Sequence, residues 1–383
     1  MKKLIYLILV LSLLFCCAPK EGKVERVIVE GVTHIKNPEK PLKGTIVLEV
    51  EKTREINPYT FEEVGLRQFR FARDTDGEVI LSGINQAEAH RFSPHGEYLG
   101  SLVQKGQGPG EFLDFRGFQV DFMNSQIWAT GMRKLAQFDK NGQFIREKKL
   151  GDNPEIVVDD NRFFVDKKRL SPEESEQKII LVDLSPEGTD AKKETIFFQA
   201  ENVGMIWDPG PERRGLMEDW ATPYILISYD KEGRKAYVAL NTEYKIHVKN
   251  LKEETLYVIE KLHKNVKVDL DDKKDMLSNY LERDSSFLWM LSVYPDTLVS
   301  IKQLKILPGG YLAVYRISGP KVIEIDVFDN EGKYLYALKP PAGISLENAE
   351  YYDFGFATTE MTEDEFQVYV EYKITNLPYI FQD

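Results

Sequence analysis

Apolar and polar residues alternate in short runs along most of the chain, and polar turns interrupt the runs at regular intervals. Such alternation predicts half-buried β-strands joined by tight turns. One hairpin signature recurs. Its first copy is Arg91-Phe92-Ser93-Pro94-His95-Gly96-Glu97-Tyr98-Leu99 and its second is Gln137-Phe138-Asp139-Lys140-Asn141-Gly142-Gln143-Phe144-Ile145. A third, Asp183-Leu184-Ser185-Pro186-Glu187-Gly188, lacks the aromatic second half, and a late copy runs from Val327 through Asp329 and Gly332 to Leu335. In each, an apolar strand ends, Asp or Ser opens a turn, and Gly supplies the positive φ the turn requires.

Gly96, Gly142 and Gly188 are each 46 residues apart. A period of about 40–50 residues holding several strands is the mark of a β-propeller. Shorter strand pairs precede these hairpins: Phe71 to Leu81, Gln119 to Thr130 and Ile156 to Val165. The pattern returns at Ile225 to Leu240, Leu304 to Tyr315 and Phe354 to Val370. The expectation is an all-β fold: a six-bladed β-propeller of four-stranded antiparallel blades. The last blade lacks an outermost strand, and the free strand at Thr45 to Glu51 is expected to supply it and so remove an exposed edge. Propeller residues are expected to span 45–383, with insertions at about 199–223 and 262–300. Within the second insertion, Lys273 to Leu291 has helical spacing, with Asp271 as its N-cap, so a short helical insertion falls between late blades.

The segment Gly106-Gln107-Gly108-Pro109-Gly110-Glu111-Phe112 resembles the blade junction of NHL-type propellers and of six-bladed propeller lipoproteins. Gly106, Gly108, Pro109, Gly110 and Phe112 carry the motif. The likeness continues through Gly117, Val120, Asp121 and Ile127-Trp128-Ala129-Thr130, and departs at Phe115, Gly131 and Lys134. It implies the fold and carries over no surface function. The glycines are not a phosphate loop, because Glu111 follows where a helix with Lys and Ser/Thr would be needed.

The N-terminus changes the picture of where the chain works. Lys2 and Lys3 precede an apolar run from Leu4 to Phe15 that is too short to span a bilayer. Leu14-Phe15-Cys16-Cys17 resembles a lipobox, which implies cleavage and lipidation at Cys17, with Cys16 the alternative. Residues 1–17 are thus expected to be a lipoprotein signal and 18–44 a tether arm. Ala18, rather than Asp, fits sorting to a bacterial outer membrane. No other cysteine occurs, so the fold uses no disulfide. Losing two lysines and no acid takes the net charge from −12 to −14, which disfavours nucleic acid as a partner.

Gly-x-Ser-x-Gly, His-Glu-x-x-His and Walker patterns are absent, and the five histidines show no close metal spacing. The acids Asp269, Asp271, Asp272 and Asp275 suit a solvated helix start better than a calcium loop. No cofactor is indicated. The insertions interrupt the period and hold Trp207, Arg213, Arg214, Trp220 and Trp289, the candidate ligand contacts. The resulting expectation is a monomeric, non-catalytic binding module that contacts a protein, peptide or glycan. The alternative is a propeller lyase or hydrolase with its site in the central channel.

Overall fold

The computed structural model describes residues 22–84, 86–113, 119–123, 126–131, 134–150, 156–159, 162–167, 176–184, 192–201, 223–282, 288, 290–353 and 355–376. Four strands come first: β1 (Glu25–Val29), β2 (Val32–Asn37), β3 (Thr45–Val47) and β4 (Val50–Ile56). Six antiparallel blades then follow in chain order. The first blade holds β5 (Phe69–Arg73), β6 (Val79–Gly83), β7 (Ala89–Phe92) and β8 (Tyr98–Val103). The second holds β9 (Gln119–Met123), β10 (Gln126–Gly131), β11 (Lys134–Phe138) and β12 (Phe144–Lys149). The third holds β13 (Ile156–Val157), β14 (Arg162–Lys167), β15 (Glu176–Leu184) and β16 (Lys192–Glu201). The fourth holds β17 (Ile225–Asp230), β18 (Lys235–Leu240), β19 (Lys245–Asn250) and β20 (Thr255–Lys261). The fifth holds β21 (Ile301–Ile306), β22 (Leu312–Gly319), β23 (Val322–Phe328) and β24 (Tyr334–Lys339). The sixth holds β25 (Glu350–Tyr352), β26 (Gly355–Met361), β27 (Gln367–Ile374) and, as its outermost strand, β4. The chain is a six-bladed β-propeller.

The ring closes one step later than the sequence predicts. Thr45 to Val47 does not complete the last blade; it lies parallel to β24 as a fifth strand on the fifth blade. The closing strand is Val50–Ile56, antiparallel to β27, with Ile56 opposite Tyr369 and Val50 opposite Ile374. Its sequence, Val-Glu-Lys-Thr-Arg-Glu-Ile, is mostly exposed. An outermost strand buries little of either face, so it lacks the alternation that announces a strand. In the same blade the first strand is the three-residue β25, and the expected pair within Phe354 to Val370 supplies strands two and three. The arm expected as a tether is also partly folded. β1 and β2 pair as a hairpin, and β2 runs parallel to β20, which widens the fourth blade to six strands.

The core is distributed around the ring as apolar clusters between neighbouring blades. Leu102, Phe112 and Phe138 join the first blade to the second. Trp128, Phe163 and Val182 join the second to the third, and Phe164, Phe197 and Val238 the third to the fourth. Tyr237, Leu312 and Phe328 fill the next gap, and Tyr315, Phe356 and Val370 the one after. Ile56, Phe69 and Tyr369 seal the sixth blade against the first. Each fully buried side chain of this size contributes about 1.5–3 kcal/mol, so each blade is held by both neighbours and cannot bury its faces alone.

Antiparallel order also sorts the connections. Turns joining first to second and third to fourth strands open on one face of the disc. The other face carries the turns from second to third strands and the connections between blades. Both insertions connect an outermost strand to the next innermost one, so they leave from the same face. The second contains α1 (Leu270–Met276), α2 (Ser278–Leu281) and α3 (Met290–Val293), which pack Met276, Leu277, Met290 and Tyr294 against Ile317 of β22. The helix starts at Leu270, not Lys273, and Asp269 rather than Asp271 is its N-cap. The Asp269 carboxylate accepts the N–H of Asp271 and of Asp272, and Asp272 accepts that of Asp269 in return. This reciprocal cap accounts for two of the four clustered acids.

Candidate functional site

The innermost strands of the six blades enclose a central cavity of about 910 Å³. Every blade contributes, with lining residues on β5, β9, β13, β17, β21 and β25. The lining is polar and, for an acidic chain, unexpectedly basic. Arg70, Arg73, Lys231 and Lys305 face a single carboxylate, Glu350, among the described lining residues. Burial pushes the Tyr229 and Tyr351 phenols up, so the channel tyrosines are neutral at ordinary pH.

Three of the four cations are engaged. Lys305 Nζ donates to the Ala349 carbonyl at 2.6 Å and to Glu350 Oε1 at 3.3 Å. Arg73 Nε donates to Glu371 Oε1 at 2.9 Å, and its guanidinium lies 4.1 Å from the Tyr352 ring centroid. Glu371 also accepts from Arg54 and, at 2.6 Å, from Tyr369, so Arg73 of the first blade is tied to the strand that closes the ring. Lys231, just past β17, reaches the Phe122 carbonyl of the second blade at 3.5 Å. Arg70 is the exception. Its neighbours Phe69 and Ala72 turn into the core while its own side chain is exposed, and it has no hydrogen-bonding or ionic partner among the described residues.

The glycine-rich junction serves a different purpose. Gly108 donates its N–H to Glu111 Oε2 at 2.7 Å, and a Cβ on Gly106 would sit 2.0 Å from that carboxylate. The loop's anion position is therefore filled by its own glutamate. Gly110, at φ +76°, donates to Glu147 Oε2 at 3.0 Å. Burial alone would raise the Glu147 carboxyl, but Lys134 at 2.6 Å and the Gly110 N–H outweigh it and hold it below the usual range. Lys134 also donates to the Glu111 carbonyl at 2.7 Å and lies over the ring of buried Phe112. Pro109 completes the turn, so the motif locks the first blade to the second.

Cys16, Cys17, Trp207, Arg213, Arg214, Trp220 and Trp289 lie outside the described residues. The channel cations were missed because each strand contributes only one or two lining residues. Arg70 did leave a signal: it is a charged position inside the apolar strand Phe69-Arg70-Phe71-Ala72. Among the described residues, no three His, Cys, Asp or Glu side chains come together as metal ligands, and no helix is long and apolar enough to cross a membrane.

The sequence model of a family described as six-bladed β-propellers matches residues 60–204, which span the first three blades. Among solved structures, a candidate exported protein from Bacteroides fragilis is 13% identical, with a TM-score of 0.50 over 90% of this chain and 100% of that one. A Bacteroides vulgatus protein is 11% identical, with a TM-score of 0.49 over 86% of this chain and 99% of that one. Likeness at this identity bears on the fold alone. None of the curated proteins matches the chain.

Proposed function

We propose that the chain is a non-catalytic binding module of the bacterial cell envelope, lipid-anchored at Cys17, that takes its ligand in the central channel. The observation that carries this reading is the cavity of about 910 Å³ lined by all six blades, which lies in the size range of small-molecule sites. The lining supplies hydrogen-bonding groups on rigid strands, including Ser228, Gln303 and Thr359. With lipid at Cys17, the eight residues from there to Glu25 span at most about 28 Å. That length holds the outer edge of the fourth blade near the membrane. A second reading places a protein, peptide or glycan on the face that both insertions leave from, where Trp207, Trp220 and Trp289 belong in sequence. The shared face is what favours it.

Filling the channel separates these readings. Ser228→Trp and Thr359→Trp each place a large ring in the cavity. The lipidated protein should carry a ligand out of native envelope extract, detected by native mass spectrometry, and both variants should lose it while melting normally. If folded variants retain the ligand, the contact lies on the insertion face. If the wild type returns the ligand cleaved and the variants do not, the protein is an enzyme.

A further inference from the structure

We propose that the channel ligand carries an oxyanion, a carboxylate or a phosphate, and that Arg70 grips it. This deepens the channel reading above and rests on it. The first argument is charge. The chain has a net charge of −12, yet the described lining of the central cavity holds four cations and one carboxylate. A cleft of one sign between low-dielectric walls concentrates ions of the other sign.

The second argument is which charges are already answered. Glu350 is bound to Lys305, and Arg73 is bound to Glu371. Lys231 donates to the Phe122 carbonyl. Arg70 meets nothing among the described residues. A guanidinium presents its N–H groups as a planar fork that matches carboxylate or phosphate oxygens two at a time. It sits on a β-strand whose flanking residues Phe69 and Ala72 are buried, so its base is rigid and its head is free.

The third argument is position. Arg73 and Lys305 lie near the ends of β5 and β21 that lead into the first turn of each blade, and Lys231 lies in such a turn. These cations mark one mouth of the channel, and Arg70 stands three residues further in. Charge thus lies along β5 from Arg73 at that mouth to Arg70 near the strand's other end. Amides and hydroxyls make up much of the remaining polar lining, among them Gln303, Ser228 and Thr359. The rest of the ligand is accordingly polar and hydroxylated, as in a sugar acid or a sugar phosphate.

Isothermal titration of the mature chain with glucuronate, glucose 6-phosphate and glucose tests this, since the three share a skeleton and differ in charge. At least one anionic probe should bind and glucose should not. The affinity should fall with added sodium chloride. Arg70→Gln should weaken binding about tenfold or more, with an unchanged thermal midpoint, and Arg70→Lys should retain part of it. Preference for one anionic probe identifies the oxyanion as carboxylate or phosphate. Equal binding by Arg70→Gln, equal binding of glucose, or no binding of either anion overturns the proposal. Ser228→Trp distinguishes the two levels. If it abolishes binding while Arg70→Gln does not, the channel stands and the oxyanion grip falls; if it leaves binding intact, the channel reading itself falls.

Discussion

At the scale of single residues, a buried charged network joins the fourth and fifth blades. Asp326 is 0% exposed. It accepts hydrogen bonds from Tyr244 at 2.6 Å, Lys261 at 2.6 Å, Tyr334 at 2.7 Å and Arg316 at 3.1 Å. Burial alone would raise its carboxyl, but Lys261 and Arg316 outweigh that and hold it below the ordinary range. Asp326→Asn keeps the shape and removes the charge that neutralises a buried lysine. Removing one partner of a buried pair costs about 3–5 kcal/mol. Urea denaturation should show a loss of that order, while Glu324→Gln, at the more exposed end of the network, should cost far less. Equal losses would mean that burial of Asp326 contributes nothing special. The aspartate stands out in the sequence as a lone charge within Ile325-Asp326-Val327. Its partner Lys261 does not, because 65 residues separate them.

At the scale of elements, the recurring turn is more general than its glycines indicate. In the turns opened by Ser93, Asp139 and Asp329, the side-chain oxygen accepts backbone N–H groups, and the fourth residue is a glycine at φ +79° to +83°. Asn250 opens the same turn in the fourth blade, with Glu253 at φ +69°, and Thr362 opens one in the sixth, with Glu365 at φ +62°. The strand pair around the Thr362 turn is expected from the sequence, but neither positive φ is, because a glutamate does not announce one. Positive φ costs a residue with a Cβ roughly 1–2 kcal/mol, so Glu253→Gly should be neutral or raise the thermal midpoint slightly. Gly332→Ala should do the opposite by more. Its φ is +79°, and the new Cβ would meet Ile259 at 2.9 Å and Ile35 at 3.0 Å. If both variants shift the midpoint in the same direction, backbone conformation is not what selects glycine there.

At the scale of the whole molecule, the N-terminal arm straps half of the ring. It adds β2 to the fourth blade, β3 to the fifth and β4 to the sixth. Asn37 fastens it by accepting the Tyr334 N–H at 2.8 Å and donating to the Gly332 carbonyl at 2.9 Å. Only β4 closes the circle. A chain beginning at residue 39 should therefore fold as a soluble monomer with a lowered melting temperature. One beginning at residue 58 leaves the β27 edge open and should aggregate. Size-exclusion chromatography with light scattering separates these outcomes, and a soluble monomer from residue 58 would show that closure by β4 is dispensable. The sequence by itself determined that there are six blades and where most of their turns lie, since alternation and turn chemistry act among residues close along the chain. Only the tertiary structure decided which strand closes the ring and which cations meet in the channel. An edge strand exposes too much surface to carry an apolar pattern, and the channel is assembled from a few residues of each blade, brought together only when the disc closes.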